Sequence, residues 1–302
     1  MPREVSGGVS GKATGGLLGR LRDDLSEALV AGAARTPAVS PGGTLWLTRW
    51  AVAVAAAGLS LYLLVGYHAG FSQLNSAAAL APDWLWACLT VLGDERVAFA
   101  LALLLARRWP RVFWALICAA LVATAYSRGL KPLFDAARPP AVLSAEAFNL
   151  IGPGHKRHSF PSGHSVTAAV FFAVLVYYAR TVRWRTLFLL LGVAAGLSRV
   201  AVGVHWPVDV AAGLAGGIAA AWVGTWLARK SPWGVLDASV HLAFVVVAAV
   251  MALSLWHDNG GYAEATLFLQ ALSVVALGYA ALAYLLWPLW RAMRQQPAVS
   301  SY

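Results

Sequence analysis

Long apolar stretches alternate with short polar and basic connections along most of this chain. The clearest stretches cover residues 50–66, 112–126, 163–179, 186–203, 208–228, 235–256 and 265–287. Most approach the roughly 20 apolar residues that a helix needs to cross the hydrocarbon core of a bilayer. A shorter run, Val97–Ala106, can also cross if Arg96 and Arg107 extend their charged ends to opposite surfaces. We therefore predict an all-α, polytopic membrane helix bundle with eight spans and with both termini on one side.

Two segments depart from this alternation. Residues 71–93 are only moderately apolar and contain Pro82 and Asp83, which favours an interfacial or re-entrant helix over a span and leaves the path of residues 71–96 open. Residues 1–44 mix Gly, Ser, Ala and Pro with charges of both signs. We predict a flexible cytoplasmic tail there, and the alternative is an amphipathic turn at Leu17–Leu29 resting on the membrane surface.

The composition excludes a soluble globule, since 60% of the residues are hydrophobic and only 12% are charged. The formal net charge of +10 does not indicate nucleic acid as a partner, because much of it lies in short clusters just outside apolar runs, at 107–111, 180–185 and 229–230. The positive-inside rule makes that face cytoplasmic. It places the loop 128–161 and His205 on the opposite, extracytoplasmic side.

Three polar groups interrupt the apolar pattern. They are Lys131 to Pro139 with Arg138, Pro161-Ser162-Gly163-His164, and Ser198 to Asp209 with Arg199 and His205. The two arginines offer planar forks that match phosphate oxygens, and Lys131 adds a third cation. A single arginine near a membrane end is ordinarily an anchor. Arg199, however, lies where the positive-inside rule predicts no benefit, so that an anionic partner is implied.

The other two groups sit where helices are expected to begin. Ser162 occupies an N-cap position, so that unpaired N–H groups follow it, and His164 adds a titratable group in the first turn. Pro207 is suited to the first position of the next helix, from which Asp209 can reach back to one nitrogen of His205. Taken singly, the groups also fit a capped helix and a polar pair. Together they suit phosphoryl transfer, with one histidine attacking phosphorus and another protonating the leaving oxygen.

The motifs K-x6-R-P, P-S-G-H and S-R-x5-H-x3-D resemble the signature of the type 2 phosphatidic acid phosphatase (PAP2) superfamily, in its membrane lipid phosphatase branch, and each defined position matches. The resemblance implies a phosphohistidine mechanism without metal or other cofactor. It assigns His205 as nucleophile, His164 as general acid and Asp209 as orienting carboxylate, with Lys131, Arg138, Ser162, Gly163 and Arg199 as phosphate ligands. Membrane members commonly have a six-helix core. We accordingly predict a catalytic core at 45–230, two added transmembrane helices at 231–290 and a cytoplasmic tail at 291–302.

The expected function is hydrolysis of a lipid phosphate or diphosphate at the outer face of a bacterial-type cytoplasmic (inner) membrane. Undecaprenyl diphosphate, phosphatidylglycerophosphate or phosphatidate, and lipid A all remain open as substrates. The alternatives are transfer of the phosphoryl group to a second lipid and a lipid transporter. A metal-dependent hydrolase is disfavoured because Lys and Arg partners suit an anion. The expected partners are the substrate and membrane lipids, with no nucleic acid, and the oligomeric state is open. The two C-terminal helices are expected to stand beside a complete catalytic core.

Overall fold

The structure is a computed structural model that describes residues 16–294, and these residues form helices and connections without a strand. The α-helices are α1 Leu17–Ala34, α2 Gly43–Val65, α3 Phe71–Ala78, α4 Asp83–Val91, α5 Glu95–Ala106, α6 Pro110–Phe134, α7 Pro139–Val142, α8 Gly163–Tyr178, α9 Val182–Ala201, α10 Pro207–Lys230, α11 Trp233–Leu236, α12 Ala238–Ser254, α13 Thr266–Ala281 and α14 Trp287–Arg294. Two 3₁₀ turns, Ala145–Ala147 and Ala263–Ala265, and a π-helical segment, Leu282–Leu286, complete the described elements.

Five helical stretches are long and apolar enough to cross a membrane. They are Gly43–Val65, Pro110–Val142, Val182–Ala201, Pro207–Lys230 and Ala263–Arg294. Two shorter apolar helices, Gly163–Tyr178 and Ala238–Ser254, match two further predicted spans. The remaining predicted span is α5, which has 12 residues. The all-α, polytopic fold is thereby confirmed.

Helix α10 lies at the centre and packs against α2, α6, α8 and α9. Small residues allow this, since a Cβ atom at Gly213 would lie 2.7 Å from the carbonyl oxygen of Ser162, and one at Gly217 would lie 2.5 Å from that of Val166 on α8. On α9, Gly196 faces Leu214 of α10. These glycines allow the helices to approach closely, and this approach brings the starts of α8 and α10 together.

Several boundaries differ from the sequence expectations. The run expected to end near Tyr126 continues as α6 to Phe134, so that Lys131 lies on a helix instead of in the loop. Leu130, Leu133 and Phe134 continue the apolar character past the charged residues, and Pro132 is accommodated near the helix end. The uncertain segment 71–93 forms two short helices, α3 and α4. They are joined by a hydrogen bond of 2.8 Å from Trp86 Nε1 to a carbonyl oxygen of α3.

Part of the expected flexible tail is helix α1, which includes the amphipathic segment Leu17–Leu29 but packs against other helices of the bundle. Leu25 and Leu29 are buried in a small cluster with Ala238. Asp24 forms ion pairs with Arg107 at 2.5 Å and Arg291 at 3.0 Å. The four-residue spacing of the two leucines explains this result, because it places both on one helix face. Residues 1–15 of the expected N-terminal tail and 295–302 of the C-terminal tail lie outside the described residues.

The basic connections lie together at one end of the bundle. Arg111 donates to the carbonyl oxygen of Ala33 at the end of α1, and Arg180 donates to that of Arg35. The motif residues lie at the other end. Helix α8, for example, begins at Gly163 of the P-S-G-H motif and ends just before Arg180. Its 16 residues correspond to roughly 24 Å. The candidate site and the basic connections are therefore at opposite ends.

Candidate active site

The structure brings the three polar groups to one end of the bundle. Arg138 follows α6, Arg199 lies in the last turn of α9, and His205 stands in the connection between α9 and α10. One Arg138 Nη atom is 3.4 Å from the carbonyl oxygen of Val204. His164 is within electrostatic range of both arginines and of His205. The predicted residues therefore share one site, although they are spread over almost 80 positions of sequence.

His205 and Asp209 form the buried pair that the sequence predicts. Nδ1 of His205 lies 3.4 Å from Oδ2 of Asp209, and their side chains are 2% and 0% exposed. Pro207 is the first residue of α10, and Oδ2 of Asp209 also accepts from the backbone N–H of Trp206 at 2.9 Å. One carboxylate oxygen thus faces the histidine and satisfies an otherwise unpaired donor at the start of α10.

Two hydroxyl groups that the sequence analysis did not assign to the site complete the surroundings of Asp209. Ser159 Oγ donates to Oδ2 of Asp209 at 2.5 Å and is 3.4 Å from Nδ1 of His205. Tyr67, which lies just after α2, donates to Oδ1. Burial and then Asp209 raise the pKa of Tyr67, so that it remains a donor. Ser159 and Tyr67 are 50 and 142 positions from Asp209 in the sequence, and no periodic pattern predicts a contact between residues so far apart.

The surroundings of His205 favour a neutral ring with a defined tautomer. Because Nδ1 faces a carboxylate, it carries the proton and leaves Nε2 with an available lone pair. Burial, followed by the charges of Arg138, Arg199 and Lys131, holds the pKa of His205 well below its ordinary value of 6.5. A neutral imidazole with a free Nε2 is the form that can act as a nucleophile.

Arg138 is fixed by the loop that precedes α8. Its Nε donates to the carbonyl oxygen of Arg157 at 2.8 Å, and its backbone N–H donates to that of Lys156 at 3.0 Å. A second guanidinium nitrogen is 3.4 Å from the carbonyl oxygen of His158. The side chain is 8% exposed. These bonds hold a cation in place while leaving its charge unpaired by a carboxylate among the described residues.

Arg199 is buried more deeply, at 2% exposure. Its Nη1 donates to Thr90 Oγ1 at 2.6 Å and to the Tyr262 hydroxyl at 2.8 Å. Its Nε has no hydrogen-bond partner within residues 16–294, and no Asp or Glu of that range forms an ion pair with it. A buried guanidinium held by neutral groups and retaining an unpaired donor is suited to an anion.

The start of α8 supplies further donors. Ser162 is the N-cap, as expected, and its Oγ accepts from the backbone N–H of Ser165 at 3.4 Å and from that residue's hydroxyl at 2.9 Å. A Cβ atom at Gly163 would lie 3.5 Å from Nζ of Lys131. The first N–H groups of α8 and the ammonium group of Lys131 therefore point to one region, beside half-buried His164.

The short helix α3 secures this arrangement. Nδ2 of buried Asn75 lies 2.9 Å from the carbonyl oxygen of Asn149, 3.1 Å from that of Val200 and 3.0 Å from that of Ala201. Gly203, with φ +81°, turns the chain from α9 toward His205, and a Cβ atom there would be 2.5 Å from the oxygen of Asn149. The segment whose path the sequence left open thus holds the end of the helix that carries Arg199.

A cavity of about 480 Å³ adjoins the site between α5, α6, α8 and α12. Polar and charged residues line one part of it, among them Glu95, Arg128, Lys131 and His164. The remaining lining is largely apolar and includes Leu116, Phe171, Phe244 and Val247. The cavity therefore suits a molecule with a charged end and an apolar body.

The C-terminal helices contribute more than the sequence indicated. They are expected to stand beside a complete core, but α12 supplies Phe244 and Val247 to the cavity, and Tyr262 contacts Arg199. No local pattern relates position 262 to a residue 63 positions earlier. In the described range 16–294, no three His, Cys, Asp or Glu side chains are grouped so that they could hold a metal ion.

Comparisons with known proteins agree with the motifs. The sequence model of the PAP2 superfamily matches residues 111–233. The lipid A 1-phosphatase of Rhizobium johnstonii is 46% identical over 65 residues, which cover 21% of this chain and 26% of that protein. The corresponding protein of Rhizobium etli is 48% identical over 59 residues, with coverages of 20% and 25%.

Two more distant similarities were found. Bacitracin transport permease protein BcrC of Bacillus licheniformis is 39% identical over 74 residues, covering 24% of this chain and 35% of that protein. The matches thus span about a quarter to a third of the length of these curated relatives. The crystal structure of Aquifex aeolicus LpxE has 28% identity and a TM-score of 0.47, covering 51% of this chain and 91% of that one.

Proposed function

We propose that the chain, whose residues 111–233 match the sequence model of the PAP2 superfamily, is a membrane phosphatase that hydrolyses a lipid phosphate or diphosphate. The observation that carries this proposal is the buried His205–Asp209 pair beside three cationic side chains that have no carboxylate of their own among the described residues. Such a site suits a phosphoryl group, whose negative oxygens it would neutralise while the histidine reaches phosphorus.

The first step forms a covalent intermediate. Arg138, Arg199, Lys131 and the first N–H groups of α8 hold the phosphoryl oxygens. Nε2 of His205 attacks phosphorus, and the bond from phosphorus to the ester or anhydride oxygen breaks. His164 donates a proton to that leaving oxygen. The imidazole becomes cationic as the phosphohistidine forms, and the carboxylate of Asp209 stabilises that charge.

The second step returns the enzyme to its starting state. A water molecule gives a proton to the now basic His164 and attacks phosphorus, and the bond from phosphorus to Nε2 breaks. Inorganic phosphate leaves, and His205 is again neutral. A second lipid with a hydroxyl or phosphate group could take the place of water, which would make the reaction a phosphotransfer.

The cavity supports an amphiphilic substrate. His164 and Lys131 line its polar part, so that the leaving oxygen would lie there and the hydrocarbon would extend between α6, α8 and α12. A lipid A 1-phosphate type of substrate is favoured by the names of the two rhizobial relatives. Undecaprenyl diphosphate and phosphatidylglycerophosphate or phosphatidate also combine a phosphate or diphosphate group with hydrocarbon chains, and they should be tested as substrates too.

The position of the site relative to the basic connections supports an orientation. Arg107, Arg111, Arg180 and Arg185 all contact α1 or the segment that follows it, at the end of the bundle away from the site. The positive-inside rule would place that end in the cytoplasm. The site would then face the extracytoplasmic side of a bacterial-type cytoplasmic membrane, with both termini in the cytoplasm.

The test is phosphate release by the purified full-length protein from a panel of lipid phosphates and diphosphates in detergent micelles. Wild-type protein should release phosphate in the presence of a chelator, and His205→Ala should lose about three orders of magnitude or more in kcat. His257→Ala, which removes an exposed histidine, is the matched control and should keep full activity. Equal activity of the two variants would exclude His205 as the nucleophile. A phosphorylated lipid product instead of inorganic phosphate would identify a transferase.

A further inference from the structure

The connection between α12 and α13, residues 255–265, reaches the end of the bundle where the site lies. Its Asp258 pairs with Arg96 of α5 at 2.9 Å. Gly261, with φ +85°, packs on Pro153, since a Cβ atom there would be 2.9 Å from that ring. These contacts attach the connection both to α5 and to the loop before α8.

Tyr262 is the residue of this connection that enters the site. Its side chain is 3% exposed and lies against Gly152, where a Cβ atom would be 2.6 Å from the ring. Its hydroxyl accepts a hydrogen bond of 2.8 Å from Nη1 of Arg199, and the guanidinium carbon is 5.9 Å from the ring centroid. Burial fixes the ring, and the hydrogen bond fixes the guanidinium relative to it.

The donors of Arg199 divide into two sets. Nη1 carries two N–H groups, and these are directed to the hydroxyls of Thr90 and Tyr262. Nε has no partner among the described residues. The edge formed by Nε and Nη2 is the pair of parallel donors that binds two oxygens of a phosphate. Because the guanidinium is planar, holding Nη1 on two acceptors determines the direction of the opposite edge.

Both acceptors are neutral hydroxyls. A carboxylate at either position would orient the guanidinium equally well but would neutralise it in a buried environment, where charges interact strongly. A hydroxyl orients the group and leaves its positive charge for the substrate. The fixed geometry also means that less side-chain freedom is lost when an anion binds.

We propose that Tyr262 is a positioning residue of the phosphate site, which directs the Nε/Nη2 edge of Arg199 toward the phosphoryl group. This inference rests on the proposed phosphatase function. It makes the connection between α12 and α13 part of the active site. This connection lies outside residues 111–233, the region that matches the family.

The decisive variant is Tyr262→Phe, which removes the acceptor and keeps the buried ring. For the lipid substrate that the wild-type protein hydrolyses, kcat/KM should fall about tenfold, at the lower end of what one hydrogen bond to a charged group contributes. The loss should be mainly a higher KM, with kcat kept within about threefold, because Tyr262 does not touch the reacting atoms. The inhibition constant of inorganic phosphate should rise in parallel with KM.

The matched control is Tyr284→Phe, which removes the hydroxyl of another tyrosine that follows α13. That hydroxyl is 2.8 Å from Nε2 of His241, so that this variant also loses a hydrogen bond of the C-terminal helices, away from Arg199. It should keep wild-type KM. Thr90→Val removes the other acceptor of Nη1 and should raise KM as Tyr262→Phe does, even if one of the two variants is poorly folded.

Coupling to Arg199 separates positioning from general stability. In an Arg199→Lys background the fork is absent, and adding Tyr262→Phe should change kcat/KM by less than about twofold. An undiminished tenfold loss in that background would overturn the proposal, as would Tyr262→Phe and Thr90→Val with wild-type KM. If the wild-type protein releases no phosphate, or if His205→Ala is as active as wild type, the proposed function fails instead.

Discussion

Replacement of Asp209 by asparagine tests the proposal that its carboxylate stabilises His205 in the phosphohistidine intermediate. The carboxylate accepts from Tyr67 at Oδ1 and from Ser159 and the N–H of Trp206 at Oδ2. An asparagine can keep its oxygen at the Oδ2 position, where the cap and His205 need an acceptor, and turn its NH₂ toward Tyr67, whose hydroxyl can rotate to accept. The variant therefore removes the charge and keeps the geometry.

The magnitude follows from the distance between the two groups. At 3.4 Å, Coulomb's law with an effective dielectric constant of about 20 gives about 5 kcal/mol between two unit charges. Both charges are delocalised, so that the difference is smaller, and we expect kcat to fall about 10³-fold, or about 4 kcal/mol. The carboxylate is 0% exposed, which limits screening by solvent and salt.

The assay is single-turnover phosphate release by the purified Asp209→Asn protein, with its melting temperature measured in the same detergent. Asp83→Asn, which changes an exposed carboxylate at the start of α4, is the control and should match wild type in both measurements. If Asp209→Asn folds normally and keeps kcat within about tenfold of wild type, the charge of Asp209 does not stabilise the imidazolium and the assigned role is wrong.

Three further predictions concern protonation, backbone and orientation. The pKa of His205 is lower in the folded state than its ordinary 6.5, so that its contribution to stability is complete above about pH 6.5 and is lost as the pH falls. The melting temperature of His205→Gln should therefore decrease less between pH 7 and 5 than that of wild type. Parallel curves of melting temperature against pH for the two proteins would contradict this. Gly203→Ala should lower the melting temperature by several degrees, because it places a Cβ atom 2.5 Å from the oxygen of Asn149 at a positive φ; the Gly129→Ala control, with open space around it, should not. In a cysteine-free background, Ser144→Cys should react with a membrane-impermeant thiol reagent in cells whose outer envelope alone is permeabilised, and labelling only after lysis of the inner membrane would reverse the proposed orientation.

Two local contacts predicted from the sequence are present in the structure, and each has a local physical reason. Ser162 caps α8 because a hydroxyl before an apolar run satisfies the first N–H groups, and Asp209 reaches His205 because four residues make one helical turn beyond Pro207. These relations involve a few neighbouring positions. Such relations can be predicted without any knowledge of the tertiary structure.

The parts that the sequence did not predict depend on contacts between distant positions. Tyr67 and Ser159 meet Asp209 from elsewhere in the chain, and Tyr262 meets Arg199 after two further helices. Each contributes one hydroxyl, and tyrosines near helix ends are equally expected as interfacial anchors. Helix α1 was ambiguous for a related reason, since its stability depends on packing against other helices that the sequence does not place.

The hydrogen bonds of Asn75 have a consequence for the order in which the molecule can be assembled. The amide joins α3 to the end of α9 across 125 positions of sequence, so that this contact can form only after α9 has been synthesised. While the chain is still being synthesised, a nascent protein that ends after α10 already contains His205 and Asp209 but lacks the tyrosine that holds Arg199. The hydrogen bond between Arg199 and Tyr262 can therefore form only after the connection between α12 and α13 has been synthesised.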